Sequence, residues 1–323
     1  MKYKIIIATA SMLFLFSCTG LKKTQVEATE KYAVATKGIS RVPSDIYFRI
    51  YQLKAESQTL QLNTLLATND QTKESIELIK NDYEEKIKFM SIAEEYSTAY
   101  MIVEKYATLV LCLINDKYLK EFNKTKTSWQ GSFEKMIYRY NAVSPTKIPS
   151  SVSSFTANVI QQLGKMKIGQ LQKKYLKEAI HTARIPFENI CDDFIQLDSL
   201  KIKSELTTLP FYLDNNYANF LENVRAYEKQ GNNPYLFYNQ YTPIYTSWLN
   251  QLGELNALSS NTVSVFRKLK TTYGVLETFI DGNGAKVIPP EIDDLMTAYG
   301  TLVETYQKFQ TRKEKLNAAA LTN

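Results

Sequence analysis

The chain has little of the side-chain chemistry on which most metal sites and many catalytic sites depend. Its 323 residues include one histidine, His181, and three cysteines. One histidine cannot complete a zinc site built on two histidines, and a carboxylate-bridged di-metal bundle needs two Glu-x-x-His motifs, where this chain has only Glu178 to His181. We therefore expect a non-enzymatic protein without a metal site or cofactor, and we interpret His181 as a structural or surface residue.

Glycine and proline, the residues that most often interrupt helices and strands, number only 11 and 9. The spacing Gly164-x-x-x-x-Gly169 suggests a phosphate-binding loop, but Gln170 follows where such a loop requires lysine. Runs rich in Lys, Glu, Leu, Ile and Ala connect these residues, and no segment alternates apolar and polar positions with a period of two. The sequence predicts an all-α protein, an elongated bundle of long antiparallel amphipathic helices.

Charge of either sign is not concentrated in any part of the chain. The formal net charge is +6, and the charged residues, 22% of the total, are evenly mixed. A protein that binds nucleic acid needs basic residues clustered on one face, so we expect no nucleic-acid partner. The length allows one large domain or two of moderate size, each with a sizeable core.

What the sequence does contain is a distinctive amino-terminal segment. Lys2 and Lys4 precede an apolar stretch, Ile5 to Phe16, whose length of about twelve residues fits a secretory signal and is too short to span a bilayer. The stretch ends in Leu15-Phe16-Ser17-Cys18, which resembles the lipobox of bacterial lipoproteins. The resemblance implies cleavage before Cys18 and acylation of that residue, which would make the membrane one partner of the chain.

The residues after Cys18 bear on where such a lipoprotein would be retained. Thr19 and Gly20 differ from the aspartate signal that keeps lipoproteins in the inner membrane. The basic stretch Gly20 to Lys23 differs from the acidic tract that some bacteria use to direct lipoproteins to the cell surface. The resemblance therefore implies an outer-membrane protein that faces the periplasm.

These features divide the chain into a signal peptide at 1–17, a lipidated cysteine and tether at 18–42, and a helical bundle at 43–323 with a possible boundary near 144–150. The polar stretch Thr24 to Lys37 fits either a tether or a short first helix. We favour a tether that becomes helical, which would hold the bundle away from the membrane.

Prolines provide the clearest helix boundaries in the sequence. Three follow β-branched residues and predict helix starts, at Val42-Pro43, Ile148-Pro149 and Ile288-Pro289. Proline is favoured in the first helical turn, and it disfavours a helical conformation for the residue before it. Pro210 also predicts a helix start, Pro186 predicts a kink or break, and Pro243 and Ser259 to Asn261 predict interruptions.

A long helix is predicted after residue 70. Its inner stripe is predicted from mostly apolar residues spaced three or four apart, namely Ile76, Ile79, Tyr83, Ile87, Met90, Ala93, Ser97, Tyr100, Val103 and Ala107. The following stretch, Thr108 to Ile114, is apolar all round and is therefore either packed on several sides or covered by a partner.

Cys112 and Cys191 would meet an oxidising compartment in an exported protein, which permits a disulfide. Cys112, however, lies within the apolar stretch Leu109 to Ile114, where a buried thiol behaves as a small apolar side chain. We favour free thiols and keep the disulfide as the alternative.

Aromatic residues concentrate between Phe211 and Trp248. Four of them are spaced as one helical face, Tyr238, Tyr241, Tyr245 and Trp248. This face is either a stacking surface for a glycan, peptide or protein partner, since Tyr and Trp are enriched at interfaces, or ordinary packing between helices. We favour packing and keep the face as the candidate partner or ligand surface.

Together these observations predict a lipid-anchored envelope protein that acts without catalysis, as an interaction or scaffold protein with a protein or glycan partner. Two alternatives remain. A membrane-active protein resembling long-helix pore-forming toxins would insert Thr108 to Ile114, and a helical ligand- or glycan-binding lipoprotein would use the aromatic face.

Overall fold

The structure is a computed structural model that describes residues 21–39, 41–68, 72–144, 146–163, 170–231, 233, 235–282 and 286–321. These residues form ten α-helices, namely α1 (Lys23–Gly38), α2 (Val42–Thr68), α3 (Thr72–Ile114), α4 (Asp116–Phe122), α5 (Lys126–Val143), α6 (Ser150–Leu163), α7 (Gln170–Leu197), α8 (Lys203–Lys229), α9 (Tyr235–Asp281) and α10 (Pro290–Leu321). A π-helical turn, Asp198–Ile202, connects α7 to α8, and the described residues contain no strand. The prediction of an all-α bundle is confirmed.

The chain divides into two compact units, each built from separate stretches of sequence. The first unit comprises residues up to Gly38, Ala99–Cys191 and Lys268–Thr297. The second comprises Ile39–Thr98, Asp192–Arg267 and the residues from Ala298 onwards. The boundary suggested near 144–150 therefore lies inside the first unit. Helices α3 and α9 each contribute residues to both units.

All three predicted helix starts coincide with observed ones, since α2 begins at Val42, α6 at Ser150 and α10 at Pro290. In the last two, the carbonyl of the preceding proline accepts the first hydrogen bond. These bonds run from the Val152 N–H to Pro149 O (3.1 Å) and from the Ile292 N–H to Pro289 O (3.1 Å). Proline marks these starts because the first turn of a helix does not need its missing N–H.

Proline inside a helix was a poorer guide, because Pro186, Pro210 and Pro243 all lie within continuous helices. The start predicted at Pro210 and the interruptions predicted at Pro243 and at Ser259 to Asn261 are wrong, and of the kink or break predicted at Pro186 the break is excluded. An internal proline removes one hydrogen bond and adds a clash costing about 3 kcal/mol. Burial of neighbouring apolar side chains, such as Leu209 beside Pro210, offsets this cost.

For Thr24 to Lys37 the sequence allowed a tether or a short first helix, and the structure shows the helix. This helix, α1, is part of the core of the first unit. Tyr32 and Ala33 are buried on its inner side. Gln25 is also buried, and its Nε2 donates to carbonyls at the end of α9, at 3.0 Å from Phe279 O and 3.1 Å from Gly282 O. The last carbonyls of a helix have no partner within the helix, so this side chain caps α9.

Three buried tyrosines bind the helices of the first unit to one another. Their hydroxyls donate to main-chain carbonyls, Tyr32 to Leu269 (3.1 Å), Tyr106 to Ala179 (2.6 Å) and Tyr273 to Ile180 (2.7 Å). The rings of Tyr32 and Tyr273 meet edge to face, with centroids 5.6 Å apart. Each tyrosine thus buries an aromatic ring without leaving its hydroxyl unsatisfied.

The two parts of α3 differ sharply in environment. In the first unit, every residue from Leu109 to Ile114 is buried, so this stretch is packed on several sides. By length and composition, Ile76–Ile114 is the one described helical stretch apolar enough to cross a membrane, but 72% of its most apolar window is buried inside the protein, as in a core helix. Cys112 and Cys191 are both buried, and no disulfide joins them.

In the second unit, the predicted inner stripe of α3 faces solvent. Ile76, Ile79, Tyr83, Ile87 and Met90 are all exposed, so their assignment to the core is wrong. Another side of the helix packs inward, through the aromatic ring of Phe89. The side of the helix that packs inward carries Asp82 and Glu85 as well as Phe89, so the apolar periodicity of the sequence does not identify it.

Candidate functional site

The aromatic segment forms a seam between α8 and the first half of α9 in the second unit. Of the four residues predicted to share a surface, Tyr238, Tyr241 and Tyr245 are half-buried. Trp248 is only 1% exposed and lies in the core. The helical spacing does place the four side chains along one side of α9, but only the three tyrosines reach the surface.

Ring contacts run along this seam from one helix to the other. Tyr217 of α8 stacks on Tyr245 of α9, with centroids 4.2 Å apart and planes inclined by 7°. The rings of Phe220 and Tyr241 meet edge to face, with centroids 5.2 Å apart. Tyr227 of α8 and Phe237 of α9 meet in the same way, nearer the loop between the helices. Aromatic pairs prefer these offset and perpendicular arrangements, so the seam is a well-packed junction between the two helices.

Two of the tyrosine hydroxyls in the seam also have partners. Tyr245 donates to Asp214 Oδ1 at 2.6 Å, and this bond, together with burial, raises the pKa of Tyr245 to about 12. The Tyr217 and Thr242 hydroxyls lie 3.1 Å apart. A phenol whose proton is held by a carboxylate is a poor general base at neutral pH, so these groups are suited to packing and contact.

Trp248 belongs to a partly buried polar network in the second unit. Its Nε1 donates to Glu56 Oε2 at 2.9 Å. Glu56 also accepts from both terminal nitrogens of Arg49, at 2.6 and 3.3 Å. The Arg49 Nε donates to Gln251 Oε1 at 2.7 Å. The network links α2 to α9, and it keeps Trp248 away from any ligand that approaches the surface.

Sequence reasoning did not connect these residues, because Arg49 and Gln251 lie about two hundred positions apart. A weak local signal did exist. Arg49 and Glu56 are seven residues apart on one helix, a spacing that puts both side chains on the same face. Without the partner helix, such a pair is indistinguishable from an ordinary surface ion pair.

A second polar group missed by sequence reasoning is Asp198, in the π-helical turn. Its carboxylate is fully buried, accepts a hydrogen bond from Ser259 and lies 3.8 Å from the Lys203 amine. Burial raises the pKa of Asp198, because it penalises the charged form more than its partners stabilise that form. π-Helical turns are rare and often occur at functional sites.

His181 lies on the first unit in a half-exposed cluster of charged residues. Its Nδ1 is 2.5 Å from Glu277 Oε1 and its Nε2 is 3.1 Å from Asp281 Oδ2. Lys177 pairs with Asp281 at 3.0 Å and Arg184 with Glu277 at 2.5 Å. Within the described residues, no group of three or more His, Cys, Asp or Glu could hold a metal ion. His181 is thus a surface residue tied to α9.

Two small cavities in the first unit, of about 20 and 30 Å³, bear on the ligand-binding alternative. Both are lined by apolar and aromatic side chains, among them Val103, Tyr106 and Phe187. Volumes of this order have room for about one water molecule, whereas ligand pockets are about ten times larger.

Comparison with protein-family models, with curated proteins and with solved structures finds no match for this chain. The fold places this chain in the class of all-α helical proteins. The function of the chain therefore has to be argued from its own residues. Cys18, the predicted lipidation site, lies outside the described residues, and its role rests on the sequence.

Proposed function

We propose that this protein is a lipoprotein of the outer membrane that faces the periplasm and acts without catalysis as an interaction or scaffold protein. The observation that carries the proposal is Leu15-Phe16-Ser17-Cys18, placed at the end of an apolar stretch of signal-peptide length. Acylation of Cys18 by more than one chain would make the attachment effectively permanent.

The position of α1 adds a geometric consequence to this proposal. Helix α1 begins at Lys23, five residues after Cys18. A fully extended chain of that length spans at most about 18 Å. An acylated Cys18 would therefore keep the first unit close to the bilayer, in contrast to the long tether expected from residues 18–42.

The anchor is tested by replacing Cys18 in the full chain and following it in its own host. Metabolic labelling with palmitate and membrane flotation are compared for the natural chain, Cys18→Ala and the matched control Ser17→Ala, which keeps a small residue before the cysteine. We expect the natural chain and the control to be labelled and to float with outer-membrane material. Cys18→Ala should lose the label and keep the longer, unprocessed chain. Labelling or processing of Cys18→Ala would refute the anchor.

For the partner, we propose that the exposed edge of the aromatic seam, Tyr238 and Tyr241, is the contact surface. Half-buried tyrosines present rigid rings at a small entropic cost, which favours their use in protein and glycan contacts. A photo-crosslinking amino acid at 238 should capture a protein partner in intact envelopes, whereas the same residue at the exposed position Tyr138 of the first unit should not. Equal products from both positions would contradict this assignment.

A further inference from the structure

The exposed part of α3 carries an apolar stripe, Ile76, Ile79, Tyr83, Ile87 and Met90, which we call the α3 stripe. Each of these side chains is between 48% and 62% exposed. Successive members are three, four, four and three residues apart, so they lie along one side of the helix. Single exposed apolar residues are common on proteins, but a continuous line of five large ones marks an interaction site.

The stripe faces outward because the opposite contacts of α3 fix the rotation of the helix. The ring of Phe89 packs against those of Tyr47 and Tyr51 of α2, with centroids 4.8 and 5.7 Å apart. Two turns earlier in α3, Asp82 Oδ1 lies 3.5 Å from the Tyr51 hydroxyl. Turning the α3 stripe inward would break this aromatic cluster and expose the Phe89 ring to solvent.

The spacing of the stripe is symmetric about Tyr83. Ile79 and Ile87 lie four residues to either side, and Ile76 and Met90 lie seven. If a second copy of the helix lies antiparallel across the first, with a two-fold axis beside Tyr83, every stripe residue meets another stripe residue. A surface that complements itself in this way is what a two-fold symmetric contact between identical chains requires.

The charges beside the stripe fit the same arrangement. Lys80 and Glu84 are both exposed and flank one edge of the stripe. In the antiparallel pairing, Lys80 of one copy lies beside Glu84 of the other, and the two-fold axis repeats this contact. Antiparallel helices also oppose their dipoles, which is favourable. A partner with a single sign of charge would meet repulsion from one member of each pair.

We propose that the α3 stripe is a self-association surface, on which two copies of this chain pair through antiparallel α3 helices centred on Tyr83. The contact is small compared with the interfaces of stable dimers, so the pairing is transient in dilute solution. Attachment to a membrane would raise the local concentration and favour pairing. The inference rests on the geometry of α3 and holds whether or not Cys18 is acylated.

Single cysteines in the full chain test the geometry, with a short bis-maleimide applied to native envelopes. Cys112 and Cys191 are buried and supply the background. Tyr83→Cys should crosslink to itself and produce a dimer at least tenfold above Asn81→Cys, an exposed control that lies about 200° around the helix. Equal yields at both positions, or no dimer from Tyr83→Cys, would overturn the proposal.

The direction of pairing has its own test. Ile76→Cys should not crosslink to itself, because fourteen residues, about 21 Å, separate position 76 from its two-fold mate. Chains carrying Ile76→Cys should instead crosslink to co-expressed chains carrying Met90→Cys. Self-linkage at 76 would show parallel pairing and overturn the antiparallel geometry. A product of Tyr83→Cys with a different protein, in place of the dimer, would overturn self-association and show that the stripe serves another partner.

The chemistry of the contact is tested by adding charge to the stripe. In the Tyr83→Cys background, Ile79→Glu together with Ile87→Glu should remove the crosslinked dimer, while Tyr138→Glu, an exposed change in the first unit, should leave it intact. All these changes are on the surface, and circular dichroism serves to check that the variants keep their helix content. Unchanged dimer in the doubly charged variant would contradict an apolar contact through the stripe.

Discussion

Replacing Glu56 by alanine should destabilise the second unit, because this carboxylate holds two buried groups at once. It accepts from the Arg49 guanidinium at 2.6 Å and from the Trp248 indole at 2.9 Å. Arg49 is only 4% exposed, so in the variant its charge would remain in the interior with only the neutral amides of Gln251 and Gln52 as partners.

The size of the effect follows from how deeply Arg49 and Glu56 are each buried. Removing one partner of a fully buried ion pair costs about 3–5 kcal/mol. The Glu56 side chain is 43% exposed, so water screens part of the interaction and can reach part of the vacated space. We therefore expect Glu56→Ala to lower the free energy of unfolding by about 2–3 kcal/mol, and Glu56→Gln, which keeps an acceptor, by about 1–2 kcal/mol.

Trp248 provides the assay. The chain has two tryptophans, and Trp129→Phe leaves Trp248 as the sole indole emitter. In that background, urea unfolding followed by indole fluorescence gives the free energy of unfolding. It also shows whether Trp248 loses its polar contact. A double-mutant cycle with Arg49→Met isolates the pair, because removing both charges avoids the unpaired guanidinium and should recover about 1–2 kcal/mol.

Two results would refute this reasoning. The first is a loss of less than about 0.5 kcal/mol in Glu56→Ala, within the range of an ordinary surface substitution. The second is additivity in the cycle with Arg49→Met, which would mean that the two charges do not interact energetically in solution.

Further predictions concern other buried polar groups. Burial raises the pKa of Asp198, so its contribution to stability is present at acidic pH and is lost as pH rises through the folded-state pKa. The melting temperature of Asp198→Asn relative to the natural chain should therefore increase between pH 4 and pH 7, and an unchanged difference would contradict this. Tyr273→Phe removes the donor to Ile180 O and should cost about 1–2 kcal/mol in urea unfolding. Gln25→Leu removes the cap of α9 and should speed amide hydrogen exchange at the end of that helix, with little change near its start. Burial raises the pKa of Cys112 to about 12, so a maleimide should label it at pH 8 only after unfolding, and labelling of the native chain would show that the core opens.

Helix content and the proline-marked starts were predictable because they depend on local properties. The scarcity of glycine and proline and the spacing of apolar residues act within a few turns of chain. At Pro149 and Pro289, the covalent geometry of the residue itself specifies the first turn. The same reasoning failed at Pro243, where α9 continues through the proline and the rings of Tyr241 and Tyr245 on either side contact Phe220 and Tyr217 of α8.

The aromatic face could be predicted only in part. Helical spacing placed Tyr238, Tyr241, Tyr245 and Trp248 on one side of a helix, and all four do lie within α9. Spacing does not reveal that α8 covers one edge of this side, or that Glu56 of α2 accepts from the indole of Trp248. The depth of each ring depends on side chains contributed by distant residues.

The sequence by itself determined that the chain is helical, where several helices begin, and which residues resemble a lipoprotein signal. These properties are encoded in neighbouring residues. Only the tertiary structure decided which side of α3 is buried, because that choice depends on the fit of Phe89 against Tyr47 and Tyr51. The helix buries the side whose aromatic ring fits its neighbour, although another side carries more apolar residues.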